Sequence, residues 1–364
     1  MKDKKPNSCP VNSVGGQAVI EGVMMKNGTK VSLAVRKDDG TIEIKNSEFH
    51  PVKEKHKILG LPLIRGIVGF FESMILSFKT LSQATDMLGL EDEDEKKKKG
   101  EKKDSGAGSV MLMAVSLVLG IALALVLFSF LPTWIGKLLT DTFSLDKEAW
   151  YYFPVLASIE GVLKVIIFIA YLAGVSIMKD IRRTFQYHGA EHKSIACLEK
   201  GLELTPENAR KCTRFHPRCG TSFMFVMVLI SIVIGIFIQI EETWIRSLVK
   251  IAILPLIMGV GYEFIMFAGK HQNWFTRALS APGLWMQRIT TKEPDDYQLA
   301  VAICAIKSTM PERFPDFDPS AYTITKEQNK GHIAYMDEKP KKKDKKKESA
   351  EQSTSENQGQ DENN

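Results

Sequence analysis

The stretch VMLMAVSLVLGIALALVLFSFL, residues 110–131, has Ser116 and Ser129 as its only polar side chains. At a rise of about 1.5 Å per residue, a helix of this length spans the ~30 Å hydrocarbon core of a bilayer. A helix that is apolar on every side belongs in a large core or in a membrane, and its length here favours the membrane. The stretch therefore predicts a transmembrane helix.

Three further apolar runs follow, and with the first they predict a four-helix membrane domain over residues 110–268. The runs cover residues 150–178, 222–240 and 248–268, and a short polar hairpin separates the last two. The whole-chain averages, 44% apolar and 25% charged residues with a net charge of +5, resemble those of a soluble protein, but such long apolar runs exclude a single soluble core. The predicted fold class is mainly α, a polytopic membrane protein with about four transmembrane helices and a small N-terminal cytoplasmic β-module.

The apolar runs contain ionisable residues, among them Glu160, Lys164 and Glu263, and each of these requires a partner. Glu160 and Lys164 lie four positions apart on one helix face, which favours an ion pair between them. We expect Glu263, in the fourth run, to face the bundle and to pair with Lys164, with an arginine of the loop at 179–221, or with a metal ion.

The distribution of lysine and arginine predicts the orientation in the cell membrane. Residues 179–221 contain nine of them, whereas residues 132–149 contain two and residues 241–247 contain one. Positively charged loops stay on the cytoplasmic side. A multi-pass protein is therefore expected, with loop 179–221 and both termini in the cytoplasm.

The segments outside the membrane differ sharply in composition. Alternating residues at 29–36 and 41–49 flank KDDG and predict a β-hairpin, and the glycines of residues 15–25 are interpreted as flexible turns flanking a strand, since the phosphate-loop ending is missing. Residues 294–308 predict a short amphipathic helix. The predicted segments are a β-containing module at 1–57, an interfacial or packed amphipathic helical segment at 58–90, a charged linker at 91–109, a cytoplasmic helical segment at 269–324 and a disordered tail at 325–364.

The loop at 179–221 contains YHGAEH, which includes the pattern H-x-x-E-H at His188, Glu191 and His192. On a helix these residues share one face, so two imidazoles can bind one metal ion beside a carboxylate. This is the reversed zinc-hydrolase arrangement, in which the glutamate acts as general base. The motif predicts a divalent metal site, with zinc as the expected ion and Glu191 as the catalytic residue.

Further ligands are expected from RFHPRCGTS, residues 214–222, where Pro217 and Gly220 break helical structure and place His216 and Cys219 on a constrained turn. The candidate metal ligands are His188, His192, His216, Cys219 and Glu263. Four bound side chains would make a closed structural site, whereas catalysis needs an open position. Five cysteines without a C-x-x-C pair argue for reduced thiols rather than a disulfide framework.

Other interpretations of these residues stay open. His188 and His192 could be ordinary polar residues on a solvated helix, and Cys212 and Cys219 could be small buried side chains. The function classes are then a metal-dependent hydrolase of unknown substrate, a non-enzymatic membrane scaffold or assembly factor with a structural cluster, and, with weaker support, a transporter. The lipid bilayer is the expected partner, and nucleic acid is excluded because the lysines cluster in the linker and tail without interleaved aromatic residues.

Several sequence blocks together resemble the bacterial YqhQ-like membrane proteins, the domain of unknown function 1385. The blocks are GGQAVIEGVMM (15–25), LPLIRGI (61–67), YHGAEHKSIACLEKG (187–201), LTPENARK (204–211), RFHPRCGTSF (214–223) and PGLWMQRITTKEPDDYQLAVAI (282–303). The resemblance implies a predicted metal-dependent enzyme without an established substrate. It carries over to His188, Glu191, His192, His216 and Cys219, which lie in these blocks.

Overall fold

The computed structural model describes residues 14–52, 56–89, 115, 118–217, 219–270 and 274–322. The predicted linker 91–109 and tail 325–364 lie outside the described residues, as do residues 1–13 of the β-module and most of residues 110–117.

The mainly helical class with an N-terminal sheet is confirmed. The strands are β1 (Val14–Val19), β2 (Gly22–Asn27), β3 (Lys30–Arg36) and β4 (Ile42–Glu48). The helices are α1 (Ile64–Met87), α2 (Val118–Thr142), α3 (Tyr152–Val175), α4 (Lys179–Glu199), α5 (Pro206–Arg210), α6 (Gly220–Ile236), α7 (Thr243–Lys270), α8 (Trp274–Thr290) and α9 (Asp296–Ser308).

The sheet is an antiparallel meander in the order β1-β2-β3-β4. The predicted hairpin around KDDG is confirmed as the β3–β4 pair, with Gly40 at φ 88° in its turn. The interpretation of residues 15–25 as one strand with flexible glycine turns was wrong. Gly16 and Gly22 lie inside β1 and β2, because this stretch folds back on itself at Glu21, which has φ 50°.

Alternate residues of the sheet contribute to two separate cores, as the two-residue period of a strand requires. On one face Val23, Met25 and Ala34 pack in a core shared with α4 and α9. On the other face Leu33 and Val35 pack with residues of α1. The sheet is therefore a middle layer between α1 and the pair α4–α9.

Helix α9 confirms the helix predicted at 294–308, but it is a central core element rather than an amphipathic surface helix. Every residue from Gln298 to Ile306 is buried. A capping box fixes its start: the Gln298 N–H donates to the Asp295 carboxylate at 2.7 Å, and the Asp295 N–H donates to the Gln298 side chain at 3.0 Å.

Helix α1 connects the sheet to the membrane helices. It covers 24 residues of the predicted segment 58–90, and its N-terminal turn packs against α7. Gly66 permits this contact, because a Cβ atom there would lie 2.7 Å from Cβ of Tyr262. Its opposite side exposes large apolar residues, among them Phe71, Ile75 and Phe78.

Three of the described helices are long and apolar enough to cross a membrane, which is close to the predicted number of about four. They are Val118–Thr142, Tyr152–Val175 and the Thr243–Phe264 part of α7. The remaining apolar run forms α6, a 17-residue helix that ends at Ile236 instead of Ile240. The first helix also continues past Pro132, which sits where α-helical structure resumes after the π-helical segment Val126–Phe130.

Glu160 is buried, but its ion-pair partners differ from the sequence prediction. Arg246 Nε lies 3.0 Å and Lys250 Nζ lies 2.5 Å from its carboxylate. The predicted pairing with Lys164 was wrong, because α7 provides two cations of its own. Lys250 lies within the predicted run, and Arg246 joins the helix because α7 begins at Thr243, earlier than expected. Arg246 also donates to the Gly235 carbonyl in the last turn of α6 and to the Ile238 carbonyl just after the helix.

Candidate functional site

Helix α4 positions the H-x-x-E-H motif inside the protein and not on a solvated surface. From Gly189 to Leu198 all its residues are buried, because the helix packs between the sheet and α9. His188 and His192 are one turn apart, and their ring centroids lie 4.4 Å from each other. The interpretation of these histidines as residues of a solvated helix is therefore wrong.

Main-chain carbonyl groups accept hydrogen bonds from Nδ1 of both imidazoles and so orient the two rings. Nδ1 of His188 lies 2.9 Å from the Thr290 carbonyl oxygen, and Nδ1 of His192 lies 2.6 Å from that of Arg214. A carbonyl oxygen only accepts, so each Nδ1 carries a hydrogen, and the neutral tautomer with this hydrogen has its lone pair on Nε2. Histidines that bind metal ions in proteins are oriented in this way.

Cys219 completes a group of three donor atoms. It is the residue that precedes the first turn of α6, it is buried, and its Sγ lies 3.3 Å from Nε2 of His188. The ligand atoms of His188, His192 and Cys219 all lie within 4.8 Å of one another. Two imidazole nitrogens and one sulfur are donors that a zinc ion accepts.

His216 lies beside this group but has a different partner. Its ring centroid is 5.7 Å from that of His192, and its Nε2 is 3.5 Å from the carboxylate of Glu199. Its main chain is held on both sides by Gln287, whose amide accepts from the His216 N–H and donates to the His216 carbonyl, each at 2.8 Å. Of the two ligands predicted on this turn, the structure brings Cys219 to the histidine pair and turns His216 toward Glu199.

Glu263, the remaining predicted ligand, lies in a different environment. Its two carboxylate oxygens accept from Nε and Nη2 of Arg65, at 2.7 and 2.5 Å. Arg65 belongs to α1, which was not among the partners expected for this residue. The pairing follows from the close packing of α1 on α7 at Gly66.

Glu191 is buried against the first strand of the sheet. Its carboxyl group accepts from the Gly16 main chain, and a Cβ atom on Gly16 would lie 3.0 Å from Cδ of Glu191. Burial raises the pKa of the Glu191 carboxyl to about 7, while His188 and the Gly16 hydrogen bond act in the opposite direction. A carboxyl group with such a pKa is suited to gain and lose a proton near neutral pH.

A cavity of about 560 Å³ lies next to the donor group and Glu191. Its walls come from β1, from one face of α4 and from the start of α6, with Gln17, Phe185 and Met224 beside the motif residues. The three donors and Glu191 line the same cavity, as does His216. A small molecule that entered this space would therefore reach both the donor group and the carboxyl group.

The other cysteines of the described chain are free and buried. Burial raises the pKa of the Cys197 thiol to about 11 and that of Cys304 to about 12, so both stay protonated at neutral pH. The expectation of reduced thiols holds for the four described cysteines, of which Cys219 alone belongs to the donor group.

Sequence reasoning missed the residues that support the site. Gly16, Gln287 and the carbonyl group of Thr290 all lie in blocks that the resemblance contains, but none carries a chemical signature of its own. Their role depends on contacts between distant parts of the chain. The proximity of Gly16 to a motif carboxylate is visible only once the sheet is folded onto α4.

Comparison with known proteins gives a family but no activity. The family described as "Protein of unknown function (DUF1385)" matches residues 61–312. The chain belongs to the DUF1385 family. The uncharacterized protein YqhQ of Bacillus subtilis (strain 168) is 33% identical over 296 residues, which cover 79% of this chain and 89% of the relative. No solved structure matches this DUF1385 chain.

The matched region of this DUF1385 protein includes the whole donor group, α4 and α9. The predicted resemblance to YqhQ-like proteins is confirmed. Neither description names a metal or a reaction, so the metal-dependent enzyme stays a prediction.

Proposed function

We propose that this DUF1385 protein is a membrane-bound, zinc-dependent hydrolase whose substrate carries an ester or amide bond. The observation that supports the proposal is the group formed by His188, His192 and Cys219 at the wall of an open cavity. Glu191, from the same helix turn, lines this cavity as well.

The donor set suits zinc in type and in orientation. Zinc takes nitrogen and sulfur ligands, and each imidazole already donates its Nδ1 hydrogen to a main-chain carbonyl.

The number of donors favours catalysis over a closed structural site. Three side chains converge, and His216, which could have supplied a fourth, is directed to Glu199. Structural zinc sites use four protein ligands, whereas catalytic sites use three and leave one position open. The cavity lies on the side where such a position would be filled.

In this hydrolysis the residues of the chain would have separate roles. When bound, a zinc ion supplies Lewis-acid chemistry at the scissile carbonyl group. Glu191 accepts a proton from a water molecule in the cavity at one carboxyl oxygen and returns it to the leaving group. The Gly16 main chain positions that carboxyl group, and the carbonyls of Thr290 and Arg214 hold the two imidazole rings.

The excess of lysine and arginine in residues 179–221 supports a cytoplasmic location for this site. Cys219 of the donor group lies directly before α6, an apolar helix that packs against α3 and α7. We therefore place the site next to the inner leaflet. The 17 residues of α6 reach the lower limit for spanning a bilayer, and with α6 as the fourth crossing both termini lie in the cytoplasm.

The test measures hydrolysis by the purified full-length chain loaded with zinc, with p-nitrophenyl esters of short and long acyl chains as probes. Glu191→Gln should abolish zinc-dependent hydrolysis and keep the bound zinc, while the exposed Glu203→Gln serves as the matched control. Equal rates for Glu191→Gln and Glu203→Gln would remove the proposed role of Glu191. A Glu191→Gln chain that lost its zinc would assign Glu191 to the metal shell instead.

A further inference from the structure

The membrane helices enclose a second cavity, of about 340 Å³, between α2, α3, α6 and α7. Its walls are largely apolar and include Phe128, Phe168, Ile234 and Ile257. The volume lies at the lower end of the range of about 300–1,000 Å³ that is typical of small-molecule sites. The position among membrane-crossing helices points to an occupant that reaches it from the bilayer.

Two lysines, Lys164 and Lys250, line this otherwise apolar cavity. Charged side chains within a membrane are costly, so they mark the place where an ionic partner is bound. Lys164 lies near the middle of α3, and Lys250 lies two turns inside α7. The lysines give the cavity a cationic lining.

The charges next to the cavity do not balance within the protein. Glu160 supplies one carboxylate, and Arg246 and Lys250 already bind its two oxygens. Lys164, one helical turn after Glu160, is a third cation beside the same carboxylate. A buried cluster of this kind is stabilised when a further negative charge enters it.

Because Arg246 and Lys250 make other hydrogen bonds, Lys164 is the cation best placed to bind an incoming anion. Arg246 also donates to main-chain carbonyls at the end of α6, and Lys250 donates to the Thr133 hydroxyl at 2.9 Å. Arg246 is 1% exposed and is absent from the cavity wall, whereas Lys164 is part of that wall.

From this excess of positive charge in an apolar chamber we infer that the cavity binds a long-chain carboxylate, with its acyl chain along the apolar walls and its carboxylate on Lys164 and Lys250. One acyl chain suits the volume better than the two chains of a phospholipid. A single negative charge also suits a cluster in which two cations already share Glu160. The inference does not depend on the zinc site, although Met224 lies in the walls of both cavities.

The experiment uses the purified full-length chain in nanodiscs of phosphatidylcholine, with palmitate as the probe. Palmitate should bind saturably and raise the melting temperature, while palmitate methyl ester, which has the same chain without the charge, should do neither. Equal effects of the two compounds would overturn the inference, and so would the absence of any effect of palmitate.

Variants separate the roles of charge and of shape. Lys164→Met should weaken palmitate binding roughly tenfold or more. It should also raise the melting temperature of the ligand-free chain, because an uncompensated cation is removed. Lys137→Met is the matched control, since this lysine belongs to α2 and donates to the exposed Glu241 carbonyl at 3.1 Å. A fall in melting temperature, or unchanged binding, would show that Lys164 is a structural partner of Glu160 and would overturn the inference.

A second variant reduces the volume of the cavity without changing any charge. Ser231 lines the cavity, and its replacement in Ser231→Phe should fill the chamber and prevent the palmitate-induced rise in melting temperature. His192→Ala, in the other cavity, should leave palmitate binding unchanged. This comparison distinguishes a failure of the acyl-chain site from a failure of the proposed hydrolase.

Discussion

Gly16 lies directly against the carboxyl group of Glu191, although 175 positions separate them in the chain. A Cβ atom on Gly16 would lie 3.0 Å from Cδ of Glu191 and 2.7 Å from the main-chain oxygen of Met24. A carbonyl oxygen within the β1–β2 pair cannot move aside cheaply. The sheet therefore accepts only glycine at this place, and the absence of a side chain gives Glu191 its position.

Gly16→Ala should lower the free energy of unfolding by about 1–3 kcal/mol, as overpacking of a core does. It should also reduce any Glu191-dependent hydrolysis. Gly15→Ala is the matched control, because a Cβ atom there would meet nothing within 4 Å. Thermal unfolding of the purified variants checks the prediction, and equal melting temperatures would contradict the described packing.

Glu263→Gln should leave the zinc content of the protein unchanged. The Glu263 carboxylate is held by Arg65, whereas the three donors of the site are His188, His192 and Cys219. Elemental analysis after loading with zinc provides the measurement. A loss of zinc in this variant would return Glu263 to the ligand set and contradict the described pairing.

Arg246→Met should destabilise the membrane domain by about 3–5 kcal/mol, because it leaves the buried carboxylate of Glu160 with one partner fewer. The same change also removes hydrogen bonds to the carbonyls at the end of α6. Lys137→Met, at a half-buried position of α2 whose hydrogen bond to Glu241 is exposed, should have little effect. Melting temperatures in detergent compare the Arg246→Met and Lys137→Met variants. An Arg246→Met variant as stable as the control would show that the ion pair contributes little to the stability of the membrane domain.

Cobalt(II) should report directly on the sulfur ligand. If Cys219 binds the ion, the cobalt-loaded protein shows a thiolate-to-cobalt charge-transfer band, and Cys219→Ala removes it. Cys212→Ala is the control, because Cys212 is also buried but lies outside the donor group. A band that survives in Cys219→Ala, or one that disappears in Cys212→Ala, would contradict the assignment of the sulfur ligand.

Local patterns in the sequence were sufficient for much of the fold. Alternation around KDDG predicted the β3–β4 hairpin, and Asp295 marked the start of α9, because both signals depend on neighbouring residues. The apolar runs likewise predicted where the membrane helices occur. Their exact ends were less predictable, since α7 begins within a stretch that hydropathy alone assigns to a loop.

The sequence was less informative wherever distant segments meet. The spacing of His188 and His192 predicted a shared helix face, and the structure adds Cys219 to that pair. The sequence could not indicate that His216 turns to Glu199. Nor could it indicate that Glu160 pairs with Arg246 and Glu263 with Arg65. Several cations were available to each carboxylate, and only the packing of the helices selects among them.

The most direct test of the zinc site is the zinc content of the purified full-length chain, measured by mass spectrometry after loading and removal of excess metal. The unmodified protein and His50→Ala, which changes an exposed histidine paired with Glu48, should each retain about one zinc ion per chain. His188→Ala combined with His192→Ala should retain almost none. An unmodified chain without stoichiometric zinc, or equal zinc in the double variant and the control, would contradict the proposed site.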